Sequence, residues 1–364
     1  MSLILNICGA RPNFMKIAPL MRAYKKYPDI TPMLVHTGQH YDTNMSDLFF
    51  KQLNIPEPDI NLEVGSGSHA EQTAEIMKRF EPVVLEHKPE WVVVVGDVNS
   101  TIACGLVAKK LGVKLAHVEA GLRSFDRAMP EEINRLLTDA ISDLLLVSEP
   151  SGMENLLHEG IPAEKIHFVG NVMIDTLRAN LEHARKTQIL EKLELKAKGY
   201  NVVTLHRPSN VDDPAVFGGI VTAFEAIQAD LPIVFPMHPR TLNNLKKLGF
   251  GERFERMKQL KVIEPLGYLE FLNLTSNAAT VITDSGGIQE ETTILGVPCL
   301  TVRENTERPV TITHGTNKLV GTNPEKIISS YRQSRSDKLV DPSAPEKWDG
   351  KAGERIAKVL VSLQ

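Results

Sequence analysis

The stretch "TDSGGIQEETTIL", residues 283–295, contains Asp-Ser-Gly-Gly, the tetrad that in some serine hydrolases surrounds a nucleophile. Here it follows an apolar β-rich run, "ATVIT", and opens a segment with helical period. A glycine turn between strand and helix leaves backbone N–H groups free at the positive end of the helix dipole. Glycine also lets the chain approach an anion closely. The chemistry this suits is phosphate gripping, through Ser285, Gly286 and Gly287. A nucleophile at Ser285 needs a histidine base and an orienting acid, and hydrolases with this tetrad carry it in a β-barrel loop, not at a helix start. An ordinary helix cap is the third reading. Glu291 falls four to five residues into the same helix. A carboxylate there can accept both hydroxyls of a ribose; its plain alternative is a solvated helix face.

A second set of candidates sits where strands of the first half should end. "GARPNFMK" supplies Arg11 and Lys16, "GDVNST" supplies Asp97, and "HVEAGLR" ends its strand on Glu119. "MPEEINR" opens a helix with Pro130 at its first position, and Glu131 and Arg135 stand i, i+4 on one face. Asp97 has a dull explanation as a helix cap, and Glu131 as an answer to a helix dipole. Three carboxylates and three cations aimed at one crevice mouth are harder to explain structurally. In the second half "TLHRPSN" places His206 and Arg207 at the end of a strand. "VGSGSH" (64–69) follows no strand of the needed kind and reads as a loop. "HTGQH" spaces two histidines by four, but its glycine argues against the helix a metal pair needs, so no metal is expected.

The elements that must position these groups are β-rich apolar runs alternating with helical-period segments, the pattern of βαβ units around a parallel sheet. Five runs fall in the first half (3–8, 31–37, 91–96, 114–119, 143–148) and five in the second (200–206, 231–237, 261–265, 279–283, 298–302). Their near-continuous apolar character says that helices cover both faces. A polar helical stretch around 171–198 separates the two sets. The expectation is α/β: two doubly wound domains facing each other, with ligands bound in the cleft at the strand carboxyl ends. The first spans 1–170, the second 171–345, and a C-terminal helix, 346–364, packs back on the first with Ile356, Val359, Leu360 and Leu363 on one side.

Composition agrees. The 364 residues suit two domains at about 100–200 residues each. A net charge of −4 with no basic block gives no reason to expect nucleic acid. Three scattered cysteines, Cys8, Cys104 and Cys299, form no disulfide framework or zinc motif and fit a reducing cytoplasm. No apolar run approaches the roughly 18 residues of a membrane span, and "MSLILNICGA" lacks the basic start of a signal peptide.

In order along nearly the whole chain, "GARPNFMKIAP", "GDVNST", "HVEAGLRS", "PEEINR", "HRPSN", "EPLGYLEFL", "TDSGGIQEE", "TERP" and "GTNKLVG" resemble the non-hydrolysing UDP-N-acetylglucosamine 2-epimerases. The resemblance implies two Rossmann-like domains of the glycosyltransferase B architecture, a homodimer formed through the first domain, a UDP-sugar substrate and no cofactor. It places the protein in cell-surface polysaccharide biosynthesis. It implies that UDP is eliminated as the C2 proton is removed, leaving 2-acetamidoglucal, and is added back with reprotonation on the opposite face. Carried over by motif, Asp97, Glu119 and Glu131 are the acid/base carboxylates, with Arg135 beside them. Arg11, His206 and Arg308 neutralise the diphosphate, and Lys16 belongs to the same charged set. Ser285, Gly286 and Gly287 bind phosphate, Glu291 the ribose, and Leu266 and Phe271 the uracil.

Three departures from the family pattern bear on substrate and control. Asn13 stands where Glu is usual, "HRPSN" replaces "HREN", and "HTGQHYDTNMSDLFF" lacks the regulatory glutamine pair around Gln39. That segment, with "RSFDRAMPEEINR" and "MHPRT", resembles the branch acting on a UDP-diacetamido-glucuronic acid, whereas "TERP" points to UDP-GlcNAc. A glycosyltransferase sharing the UDP grip, and a regulatory UDP-sugar binder, are the alternatives from other classes. Without the glutamine pair, epimerisation is expected to run without obligatory activation by substrate.

Overall fold

All ten apolar runs become parallel strands in the computed structural model, which describes residues 2–9, 11–38, 55–237, 239–336 and 344–363. The Arg11 side chain and the Gln39 segment lie outside the described residues. The chain divides into two compact units, one of residues Met1–Ala179 with Glu346–Gln364, the other Asn180–Pro345.

In the first unit the strands are β1 (Ser2–Cys8), β2 (Ile30–His36), β3 (Ile60–Asn61), β4 (Trp91–Val95), β5 (Lys114–Ala120), β6 (Leu144–Val147) and β7 (Ile166–Phe168). Among the described residues they form one sheet in the order β3-β2-β1-β4-β5-β6-β7. The second unit contains β8 (Asn201–Thr204), β9 (Ile233–Pro236), β10 (Leu260–Ile263), β11 (Thr280–Thr283), β12 (Cys299–Thr301) and β13 (Asn317–Leu319), ordered β10-β9-β8-β11-β12-β13. β3, β7 and β13 have only two or three residues, too few to show a period or an apolar run.

Both orders reverse once, between β1 and β4 and between β8 and β11. Where strand order reverses, adjacent connections leave toward opposite faces and open a crevice at the carboxyl ends. Buried apolar strands hold those ends in place: Val92, Val93 and Val94 of β4 have no exposed surface, nor have Val281 and Ile282 of β11. No helix among the described residues is long and apolar enough to cross a membrane.

The C-terminal helix, Ala352–Ser362, belongs to the first unit and packs on the helix Arg11–Tyr24. Its buried stripe is Gly353, Ile356, Ala357 and Leu360, whereas Leu363 is exposed. The stripe is set by the close approach at Gly353, where a Cβ would lie 2.8 Å from the Pro19 carbonyl oxygen. Asp175 caps the helix by accepting from the backbone N–H of Ala352 at 3.0 Å and Gly353 at 2.8 Å. Just before it, Trp348 is fully buried and donates Nε1–H to the Ser148 carbonyl at 3.0 Å. Trp348→Ala is expected to destabilise the first unit by about 3–5 kcal/mol, the cost of emptying a large core site. Urea unfolding measures it, and a change below about 1 kcal/mol would show that the segment is dispensable.

Candidate active site

Glu119 occupies a bulge. Val118 pairs with Leu146 and Ala120 with Val147, leaving Glu119 as the extra residue of β5 with φ +71°. A non-glycine residue in that region is strained, and a bulge re-aims its side chain. The carboxylate is buried. One oxygen, Oε2, is ion-paired with Lys16 Nζ, and the other, Oε1, has no hydrogen-bond partner among the described residues. Gly96, which follows β4 with φ +68°, makes room for the pair, because a Cβ there would come within 2.7 Å of Lys16 Nζ. Asn13 joins the same corner, accepting from Gly9 N–H at 3.2 Å and donating to the Val95 carbonyl at 3.0 Å.

Asp97 is not a helix cap. The helix Asn99–Lys110 starts on Val98 without a side-chain cap, and the Asp97 carboxylate is instead ion-paired with Arg135. Arg135 is buried and also donates to Glu132, Nε at 2.9 Å and Nη2 at 2.6 Å. Glu132 in turn accepts from the backbone N–H groups of Ser124 and Phe125, both at 2.9 Å. The recorded helical ion pair is therefore Glu132–Arg135 at i, i+3. Glu131, the expected partner at i, i+4, is exposed in the first turn.

In the second unit the helix Gly286–Leu295 begins directly after β11 and Asp284, with Ser285 at its N-cap and no side-chain cap bond. The first N–H groups thus stay available to an anion. The space that a Gly286 Cβ would take is filled by the Arg308 guanidinium, 2.5 Å from that position. The glycine serves close packing of a cation over the helix start, which sequence alone did not suggest. Arg308 is ion-paired with Glu290 at 2.5 Å and lies 3.5 Å from Glu307. Glu307 receives a bidentate pair from Arg303 at 2.9 and 2.7 Å, with Arg207 Nη2 at 3.7 Å. Asp284, fully buried, accepts from the backbone N–H groups of His206 and Arg207 and lies 2.9 Å from His206 Nδ1. Burial acts to raise the Asp284 pKa, but its bonds with His206 and Arg207 outweigh that and lower it. Half of the His206 side chain remains exposed. Leu266 and Phe271 are partly buried against the second unit's core.

Glu291 is buried, not a solvated face. Burial pushes its pKa up to about 7; the adjacent Tyr268 hydroxyl pulls it back and the Glu290 charge adds to the rise. A raised folded-state pKa contributes stability that is fully present below the unfolded value near 4.5 and is lost as pH rises through about 7. Wild type is therefore expected to lose roughly 2–3 kcal/mol more than Glu291→Gln between pH 4.5 and pH 8. Urea unfolding of both unliganded proteins checks this, and parallel pH profiles would refute it.

Asp284, Glu290, Glu307, Arg303 and Glu132 escaped sequence reasoning as site members. Asp284 has one signal in the sequence, its place between a strand and the glycine turn in "TDSGG". Glu307 adjoins Arg308 in "TERP", yet a carboxylate beside an arginine in sequence is common.

One doubly wound parallel-sheet unit thus carries a buried carboxylate–cation set at its switch point, and the other an arginine-flanked helix start. The sequence profile of the UDP-N-acetylglucosamine 2-epimerase family matches residues 22–361. The chain is 45% identical to the UDP-N-acetylglucosamine 2-epimerase of Methanocaldococcus jannaschii over 98% of each protein. It is 41% identical to the UDP-2,3-diacetamido-2,3-dideoxy-D-glucuronate 2-epimerase of Pseudomonas aeruginosa over 99% of each. A crystal structure of the Methanocaldococcus jannaschii enzyme with UDP-GlcNAc and UDP superposes with a TM-score of 0.92 at 45% identity, covering all of both chains. The chain belongs to the UDP-N-acetylglucosamine 2-epimerase family, whose members are isomerases.

Proposed function

We propose that the chain interconverts UDP-GlcNAc and UDP-ManNAc by eliminating UDP, passing through 2-acetamidoglucal, and adding UDP back. The observation that carries this reading is Glu119, a buried carboxylate on a strained bulge with one oxygen held by Lys16 and the other without a hydrogen-bond partner among the described residues. An open lone pair in a dry site suits taking a weakly acidic C2 proton; simple binding does not call for it. The relative of TM-score 0.92 that holds UDP-GlcNAc and UDP supports the choice of substrate.

In this reading the first unit carries the proton chemistry, with Asp97, Glu119 and Glu131 as acids and bases and Lys16 and Arg135 balancing their charge. The second unit grips UDP. Ser285, Gly286 and Gly287 meet the phosphates, Arg308 and His206 neutralise the departing diphosphate, and Glu291 accepts from the ribose. Leu266 and Phe271 contact uracil. Helix-end N–H groups and cations aimed at developing phosphate charge are the usual means of easing such a departure. Exposed Phe125, Ile133 and Leu137 support a homodimer through the first unit, for which sedimentation velocity is the check. A cytoplasmic role supplying cell-surface polysaccharide rests on the family alone.

The Pseudomonas aeruginosa relative, at 41% identity over 99% of each chain, favours a second substrate, a UDP-diacetamido-glucuronic acid. The test is incubation with each sugar in heavy water, without acceptor, followed by NMR at C2. Deuterium at C2 in the product is expected, and the sugar that exchanges identifies the substrate. Epimerisation without label would overturn the elimination mechanism, and no exchange from either sugar would overturn the reading as a whole.

A further inference from the structure

Beneath the first unit's carboxylates lies a histidine that the proposed chemistry does not use. His117, in β5, has no exposed surface. Its Nδ1 is 2.6 Å from Asp139 Oδ1, and its Nε2 is 2.8 Å from the carbonyl oxygen of Gly96. A carbonyl can only accept, and so can an ionised carboxylate. Burial would raise the Asp139 pKa, but His117 and Arg123 outweigh that and lower it. Both ring nitrogens therefore face acceptors. Asp139 is anchored in turn by Arg123 Nη1 at 2.7 Å and by the backbone N–H of Gly121 at 3.0 Å.

These bonds join every segment that carries a candidate acid or base of the first unit. Gly96, whose N–H also donates to the Val118 carbonyl at 3.0 Å, directly precedes Asp97. Gly121 lies two residues after Glu119, and His117 two before it. Asp139 is one turn along the helix Pro130–Ile141 from Arg135, the ion-pair partner of Asp97. We propose that His117 is a positioning residue that, through its two ring hydrogen bonds, fixes the Gly96–Asp97 peptide, the Glu119 bulge and the Glu131 helix in register for proton transfer. It touches no substrate.

The proposal rests on the epimerase reading, and the experiment separates the two. A glutamine amide reaches the Nε2 position and can keep the bond to Gly96, whereas an asparagine amide reaches only the Nδ1 position and keeps the bond to Asp139. His117→Asn leaves the buried Gly96 carbonyl without a donor. It is expected to lose about 100-fold in the rate of C2 exchange, the scale of a misplacement near 1 Å. His117→Gln should stay within about tenfold of wild type, and KM for the UDP-sugar should move less than about threefold in both. Independently of activity, ¹⁵N-resolved NMR of the wild type should show two slowly exchanging ring N–H protons on one histidine, both absent from His117→Gln. A single such proton overturns the geometry even if the protein has no epimerase activity. Asparagine retaining as much turnover as glutamine, or a loss confined to KM, overturns the positioning role. Absence of C2 exchange in the wild type overturns the epimerase reading and leaves the NMR result to decide the bonds.

Discussion

Glu119→Gln is expected to lower C2 exchange by about 10²–10⁴-fold, the usual worth of a positioned general base. The carboxylate is buried, strained into position by the β5 bulge, and its Oε1 has no hydrogen-bond partner among the described residues. Glutamine keeps the shape and an oxygen for Lys16, but not the basicity. UDP affinity, measured by calorimetry, should stay within about twofold of wild type, because the helix start proposed to meet the phosphates belongs to the second unit. Asp97→Asn and Glu131→Gln belong in the same series. A variant that releases UDP and the glucal yet fails to epimerise has lost the group that returns the proton. Wild-type turnover in Glu119→Gln would make the bulge a structural feature only. Lys16 loses its charged partner in this variant, so thermal unfolding run alongside separates lost chemistry from lost fold.

Glu307→Ala should cost about 3–5 kcal/mol of stability, the penalty for leaving a buried cation unpaired. Arg303, whose side chain is 5% exposed, loses its bidentate partner, and Arg207 and Arg308 lose a shared negative charge. Burial would raise the Glu307 pKa, but the Arg303 bonds and the Arg308, Arg303 and Arg207 charges outweigh it and hold the group well below the carboxylate range. A depressed folded-state pKa contributes stability present above the unfolded value and lost as pH falls through the folded one. The wild-type advantage over Glu307→Ala should therefore be full at pH 7 and shrink in acid. Arg308 packs over Gly286, so UDP affinity should fall as well, by at least about tenfold. Urea unfolding at pH 7 within about 0.5 kcal/mol of wild type would refute this account.

The strands were legible because parallel strands covered on both faces must be apolar throughout, as "WVVVV" and "ATVIT" are. The helix start at Ser285 was legible because two glycines directly after an apolar strand mark a strand–turn–helix junction. Asp97 could be picked out because it follows directly on a strand end, Glu119 because it closes an apolar strand run, and Lys16 and Arg135 because each stands in the helix after such a strand. Their partners could not: Lys16 meets Glu119 across 103 residues, and Arg135 meets Asp97 across 38.

Sequence by itself determined the α/β class, the alternation that builds two doubly wound sheets, and the family, since these depend on local period and on motif order. Only the tertiary structure decided which neighbour carries the charge. Glu132 is turned inward to Arg135 while Glu131 faces out, although both stand in the first helical turn. It also put Arg308 over Gly286, made Asp284 the anchor of His206, and seated His117 between Asp139 and Gly96. The physical reason is shared. Burial and pairing of charged groups depend on side chains brought from distant strands to one sheet end, and neither helical period nor strand composition records which of them meet there.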